Sequence, residues 1–192
     1  MQAYIRTTVW ILAGLVAAAG ARATEWQLVP DQSRLSFTAI QQKAEFEGIF
    51  KDFSADIVFD PAQPEAGSIN AVILLASVDT QYGERDGYLV DPDWFFVERW
   101  PEATYVADSV RVDEAGEADT WIAAGELTIR DVTLPVELRF RFTEDSDGAA
   151  FVGTAGLSRL DFNVGNVMGW DDTRWVGDPV KVKVELRLQE SK

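Results

Sequence analysis

The two residue types that carry most side-chain chemistry in enzymes are missing from this chain, which has no His and no Cys. Their absence removes His-based triads, thiol nucleophiles and nearly all zinc and copper sites. What remains is carboxylate, guanidinium and aromatic surface. Asp and Glu number 32 against 17 Lys and Arg, so any acid–base chemistry would fall to a carboxylate such as Asp86 or Asp161. Arg85-Asp86 reads either as a clamp for a polar headgroup or as an ion pair or cap. Arg159 and Asp161 pose the same choice, and their spacing of two, which puts both on one strand face, favours a structural pair. Asp145, Asp147 and Gly148 resemble the start of a calcium loop, but no Glu stands at its closing position, so a hairpin turn is expected. No catalytic or metal-binding residue is assigned.

The densest chemical signal is apolar. Arg85 to Tyr105 (RDGYLVDPDWFFVERWPEATY) places Trp94, Phe95, Phe96 and Trp100 within seven positions. Aromatic area on this scale leaves water for a core, a ligand or a membrane, at roughly 25 cal/mol per Å². Asp91-Pro92 has the form of an N-cap followed by a first-turn proline, which predicts a helix over Trp94 to Arg99 ended by Pro101. On such a helix Trp94 and Glu98 share one side, so the aromatics cannot all face inward. Phe95 or Phe96 is expected to touch ligand, and Trp100 to pack.

The elements that would hold this segment are strands. Leu35, Phe37 and Ala39 alternate with Arg34, Ser36 and Thr38. Phe53, Ala55, Ile57 and Phe59 alternate with Asp52, Ser54 and Asp56, in a strand expected over Gly48 to Phe59. Ser68 to Ser77 is almost continuously apolar, which predicts a strand buried on both faces or lying where the helical segment covers the sheet. Val136, Leu138, Phe140 and Phe142 alternate with Glu137, Arg139 and Arg141. Val182, Val184 and Leu186 alternate with Lys181, Lys183 and Glu185. Period-2 patterning with one apolar face gives an antiparallel sheet wet on one side. Eight strands suit a closed up-and-down barrel able to hold one small ligand, with a two-sheet sandwich as the alternative. If their strands are neighbours, Arg139, Arg141, Lys181, Lys183 and Arg187 form an outer basic stripe, either solvated or facing a partner.

Residues 1–23 read as a leader. Arg6 precedes the apolar run Val9 to Ala19, and Ala21-Arg22-Ala23 has the small-x-small form of a cleavage site. The run falls short of the ~20 residues that span a bilayer. Cleavage near Ala23 would leave residues 24–192 as one domain in the periplasm or secreted, and would take the formal charge from −15 to −17. Such acidity disfavours nucleic acid and anionic lipid surfaces.

Four motifs resemble those of YceI-like proteins, in order along the chain. Gly48-Ile49-Phe50-Lys51-Asp52-Phe53 with Ile57-Val58-Phe59-Asp60-Pro61 is the first. Arg85-Asp86, Leu89, Asp93, Phe95-Phe96 and Trp100-Pro101 make the second. The third is Gly125-Glu126-Leu127-Thr128-Ile129-Arg130-Asp131-Val132 with Pro135-Val136, and the fourth runs from Ser158-Arg159-Leu160-Asp161 to Gly165. The resemblance implies an all-β, antiparallel, eight-stranded, lipocalin-like β-barrel with a short helical insertion, binding a long isoprenoid chain, such as a polyprenyl phosphate or a quinone tail, in its lumen; it does not imply catalysis, and the chain is expected not to be an enzyme. The chain departs from the pattern at Gln32-Ser33, where the family often has His-Ser, and at Ala55, Asp131 and Asn163, where it has Gly. Asp131 and Asn163 are residue types that tolerate positive φ.

On this basis the expected ligand-binding residues are Phe37, Ile57, Phe59, Trp94, Phe95, Phe96, Leu138, Phe140 and Val184 in the lumen, with Arg85 and Asp86 at its mouth. The expected partner is an isoprenoid lipid; a peripheral membrane contact and a homodimer stay open. Two other functions are consistent with the sequence: a stress-related protein docking on a membrane redox partner, and a carboxylate-based enzyme acting on such a lipid.

Overall fold

The computed structural model describes residues 24–167 and 169–191; the leader reading falls outside them. The chain forms strands β1 (Thr24–Leu28), β2 (Arg34–Gln41), β3 (Ala44–Phe50), β4 (Phe53–Phe59), β5 (Ser68–Leu74) and β6 (Val78–Asp79), then helix α1 (Gly83–Val90). Strands β7 (Glu102–Val112), β8 (Thr120–Ile129), β9 (Val132–Asp145), β10 (Gly148–Ser158) and β11 (Pro179–Glu190) follow. All pairings are antiparallel.

Eleven segments make eight staves, because the first three staves are each broken once. β1 and β2 both pair with β11, through Leu28↔Leu188 and Arg34↔Glu185, on either side of a short turn at Pro30–Gln32. β4 pairs with β1 and β3 with β2. The single strand expected from Gly48 to Phe59 is therefore two, divided at Lys51-Asp52. The hydroxyl of Ser77 accepts from the Asp52 N–H at 3.0 Å and so satisfies the backbone at the break. β5 and β6 make the third broken stave, separated by the turn Leu75–Ser77. The order β1-β4-β5-β7-β8-β9-β10-β11 returns to β1 and closes the barrel. The expected closed barrel is observed and the sandwich is not.

Ser68 to Ser77 differs from expectation. Ile69, Ala71 and Ile73 face the lumen, but Leu74 is 40% exposed. The segment is an ordinary one-sided strand, and continuous apolarity overstated its burial. At the hairpin between β8 and β9 positive φ falls on Arg130 and not on Asp131, whereas Asn163 does take φ 57°.

The helix also lies elsewhere. α1 precedes Asp91-Pro92, and Asp91 is its C-cap. Helix over Trp94 to Arg99 is replaced by successive turns, with Phe96 in the left-handed region at φ 52°. The N-terminal anchor explains the shift. Asp86 accepts from the backbone N–H (2.8 Å) and hydroxyl (2.6 Å) of Thr80, which fastens the first turn to the residue that follows β6. Acidic residues there also suit the helix dipole.

Two apolar clusters fill the barrel ends. The closed end packs Trp26, Phe59, Trp121, Phe140, Phe142 and Leu188. The other end packs Phe37, Leu89, Trp94, Phe162, Val164 and Val176 beneath the chain crossing the barrel's open end.

Asp145 and Asp147 form a hairpin turn, as expected. Asp145 takes a two-pronged ion pair from Arg187 (2.5 and 2.7 Å) and accepts from the Asp147 N–H. The guanidinium holds its carboxyl down to about 2. In the outer basic stripe, β10 lies between β9 and β11. Four of its five cations are paired: Arg139 with Asp113, Arg141 with Glu117, Lys183 with Glu185, and Arg187 with Asp145. Only Lys181 has no ion pair among the described residues, so the stripe is largely neutralised from within.

Candidate functional site: an apolar lumen with an aromatic mouth

Between the two clusters lies a cavity of about 740 Å³, well inside the range of small-molecule sites, roughly 300–1,000 Å³. Inward positions of nearly every stave line it. The room comes from small residues at inward positions, Ala55, Ala71, Ala103 and Ala155 among them, opposite larger ones such as Ile57, Leu138 and Val184. A uniform row of Phe or Leu at those positions would have packed the barrel solid. The lining is aliphatic and aromatic except for a few polar groups, and its charged side chains are Glu84, Arg85 and Arg159.

Of the residues expected to meet ligand, Phe37, Ile57, Trp94, Phe95, Leu138, Val184 and Arg85 line this cavity. The other four are placed elsewhere. Phe59 and Phe140 are each 1% exposed in the closed end, where their ring centroids are 5.2 Å apart. Period-2 patterning identifies the inward face but not the height along the barrel, so it could not separate floor from lumen. Phe96 packs edge-on against Trp100 at 5.5 Å, outside the cavity lining, because its left-handed backbone turns it away from Phe95. Asp86 is committed to Thr80.

Arg85 and Asp86 are therefore not a pair. The Arg85 guanidinium lies 3.8 Å from the centroid of the Phe46 ring and donates from Nε to Gln41 Oε1 at 3.2 Å. Among the described residues it has no ion pair. A cation over an aromatic face at a cavity mouth retains donors for an oxygen ligand.

Arg159 and Asp161 do not pair either. Arg159 is 5% exposed. Its five N–H donors meet five backbone carbonyls: Nε to Gly177, Nη1 to Val164 and Gly165, Nη2 to Trp170 and Val176, all at 2.8–3.0 Å. Burial pushes its pKa down, against the pull of Asp178 and Asp171. Sequence reasoning missed this hub because backbone acceptors leave no trace in side-chain patterning.

Also unforeseen are Tyr82, Tyr88 and Trp170 at the mouth and Tyr105 in the wall. Tyr105 donates to the Ala123 carbonyl at 2.9 Å, and burial pushes its phenol up to about 12. It adds no charge to the lumen near neutral pH. Around the mouth stand Ile40, Tyr82, Tyr88 and Trp175, exposed by 36%, 52%, 46% and 57%. They belong to three adjoining parts of the chain: the end of β2, α1 with its N-cap Tyr82, and the crossing segment that ends at β11. Gln42 N–H to Trp175 O (2.7 Å), Gly177 N–H to Ile40 O (2.8 Å) and the Tyr88–Trp170 ring contact (5.8 Å) tie these elements together.

Among the described residues, no cluster of three or more carboxylates is arranged to hold a metal, and no helix is long and apolar enough to cross a membrane.

Known proteins share this architecture. The chain is similar to a UPF0312 protein of Ectopseudomonas mendocina, with 34% identity over 128 residues, which is 64% of this chain and 65% of that one. It is similar to Protein YceI of an Escherichia coli strain, with 33% identity over 64% of this chain and 65% of that one. The matched segment thus spans just under two thirds of these relatives. Among solved structures, BcnA of Burkholderia cenocepacia superposes with a TM-score of 0.77 at 30% identity, covering 83% of this chain and 98% of that one. A polyisoprenoid-binding domain from Saccharophagus degradans shares the fold, with a TM-score of 0.67 at 18% identity over 89% of this chain and 100% of that one. The model of the YceI-like domain matches residues 26–188, and with the closed barrel and lumen described above this chain belongs to the YceI-like family.

Proposed function

We propose that the protein is a carrier or store for a long-chain isoprenoid-type lipid held in the lumen, and that it acts without catalysing a reaction. One observation carries this reading: an apolar cavity of about 740 Å³ inside a closed barrel. Each methylene taken from water into such a lining contributes about 0.8 kcal/mol, so a prenyl chain is held with no charged partner. The polyisoprenoid-binding neighbour supports the same class of ligand. Export after loss of residues 1–23 belongs to this reading. The largely self-neutralised outer stripe disfavours a redox partner docking there.

Native mass spectrometry of protein purified from its own host tests the proposal. The expected spectrum shows an intact mass lacking residues 1–23 and an adduct of isoprenoid mass. Ala71→Trp, which places an indole in the lumen from β5, is expected to lower the bound lipid about tenfold or more while the strand signal in circular dichroism stays. Full occupancy in that variant would sink the lumen as the binding site.

The mouth is the natural door, and we assign its rim to contact with a zwitterionic bilayer. Tyr and Trp favour the headgroup level of membranes. A lipid too apolar for water must enter from a surface that already holds it, and the acidic protein is repelled by anionic headgroups. In vesicle flotation, wild-type protein is expected to rise with phosphatidylcholine vesicles. Tyr82→Ser/Tyr88→Ser/Trp175→Ser is expected to lose most of that binding, about tenfold, while retaining its fold. Equal flotation of the two would remove the rim from the loading step.

A further inference from the structure

Strands β9 and β10 both run on to the mouth, but they run apart. Their ladder ends at Thr154↔Arg139. Beyond that pair β9 stays bonded to β8 as far as Ile129↔Val132, and β10 to β11 as far as Ser158↔Pro179. Residues 132–138 and 155–158 therefore face each other across a seam in the barrel wall that no ladder spans.

The sequence sets this split. The two-residue turns Arg130-Asp131 and Ser146-Asp147 fix which backbone groups of β9 point to which neighbour. Val132, Leu134 and Val136 bond towards β8, whereas Pro135, Glu137 and Arg139 point towards β10. Pro135 has no N–H, so the ladder cannot run through it. Opposite, Ser158 is tied to the far side, where its hydroxyl donates to Asp178 at 3.0 Å. Continued in register, the ladder would set Leu138 against Ala155 and Val136 against Leu157. All four line the lumen. Outside, the seam lies under a groove bordered by Glu137, Arg139, Thr154, Gly156 and Lys181. Ala155 and Val182 border both groove and lumen.

Side chains close the seam. Val132, Leu134, Val136 and Leu157 pack against the cluster that holds Phe162 and Val164. At the mouth, Arg130 reaches across from the turn between β8 and β9, and its Nη1 donates to Asn163 O and Trp94 O, both at 2.7 Å. Apolar contact is non-directional, so these staves can part without breaking a row of backbone bonds.

Resting on the lumen reading above, we infer that this seam is a lateral gate. It hinges at Thr154↔Arg139, is latched by Arg130, and parts to let the lipid chain enter and leave sideways, which extends the mouth down one wall.

The chain has no Cys, so a pair of introduced thiols makes a defined staple. Glu137→Cys/Gly156→Cys sets them on the outer face at opposing positions of the seam, and nothing stands within 4 Å of a Cβ added at Gly156. They are joined by oxidation or by a short bismaleimide. Thr143→Cys/Ala150→Cys staples the intact ladder of the same two strands as the control. The probe is retinol, a fluorescent isoprenoid alcohol, carried in phosphatidylcholine vesicles and followed by energy transfer from the protein's tryptophans. The seam staple is expected to slow uptake and release alike, about tenfold, and to leave Kd unchanged, because a gate alters passage and not the bound state. The control staple should change neither rate. Arg130→Asn suits the left-handed backbone there (φ 58°) but is too short to reach across, and should speed both rates. Rates unchanged by the seam staple, or slowed equally by the control, would send the lipid through the mouth alone and overturn the gate. Wild-type rates in Arg130→Asn would overturn the latch. Failure of retinol to bind wild-type protein at equilibrium would overturn the lumen reading itself, and this inference with it.

Discussion

Replacing Arg159 with methionine is expected to destabilise the protein by about 3–5 kcal/mol, the usual cost of removing one partner from a buried charged network. The size follows from the five backbone carbonyls that this one guanidinium satisfies. Methionine restores the volume and none of the donors, and each abandoned buried acceptor costs roughly 1–3 kcal/mol unless water reaches it. All five carbonyls, those of Val164, Gly165, Trp170, Val176 and Gly177, belong to the segment that crosses the mouth. Amide exchange should therefore accelerate first around residues 163–177, with the strands retaining protection until global unfolding. Arg159→Lys offers three donors where five are needed and should fall between wild type and methionine. Urea titration with exchange mapping checks this, and a loss under about 1 kcal/mol with unchanged exchange would show that the hub holds nothing.

The second large effect is at the closed end. Phe140 stacks on Phe151 with ring centroids 4.5 Å apart and planes 16° from parallel, and sits 5.2 Å from Phe59 and 6.0 Å from Trp121. Truncating a buried Phe in such a cluster costs about 3–5 kcal/mol, in transfer free energy plus the cavity left behind. Phe151 also borders the lumen, so the new space in Phe140→Ala is separated from the ligand by a single ring. The expected result has two parts: a lower urea midpoint, and a shift of bound lipid toward longer chains as Phe151 swings into the gap. Loss of stability with an unchanged chain-length distribution would mean that the closed end collapses and does not deepen the lumen.

Those two residues mark where the sequence was informative and where it was not. Phe140 was legible as inward-facing, since Val136, Leu138, Phe140 and Phe142 alternate along β9. Whether it touched ligand was not, because height in a barrel depends on strand stagger, which adjoining side chains do not encode. Phe59 was misplaced for the same reason, whereas Leu138, two residues from Phe140, does line the lumen. The barrel itself was readable from alternation and from motifs spread along the chain. The helix was not, because Asp91-Pro92 suits a helix end as well as a start, and the decisive bond from Asp86 to Thr80 is tertiary. Arg159 reads as half of an ion pair, but its acceptors are backbone carbonyls of the loop that follows it, 5 to 18 residues on. The apolar stretch around Trp94 was the strongest clue to the site, though only the structure separates Trp94 and Phe95, which face the cavity, from Phe96 and Trp100, which do not.

The broken first stave has a kinetic consequence. β1 and β2 both pair on one side with β11, so the seam joins residues some 150 positions apart, such as Leu28 with Leu188 and Phe37 with Val182. Contacts this distant form late, because the entropy of closing the loop must be met before they are gained. Until β11 docks, the faces of the other staves that will become the lumen stand open to water as one wide apolar sheet. Refolding should therefore be slow and prone to aggregation. A lipid added during refolding has a far wider entrance than the finished mouth, so loading and folding compete for the same interval.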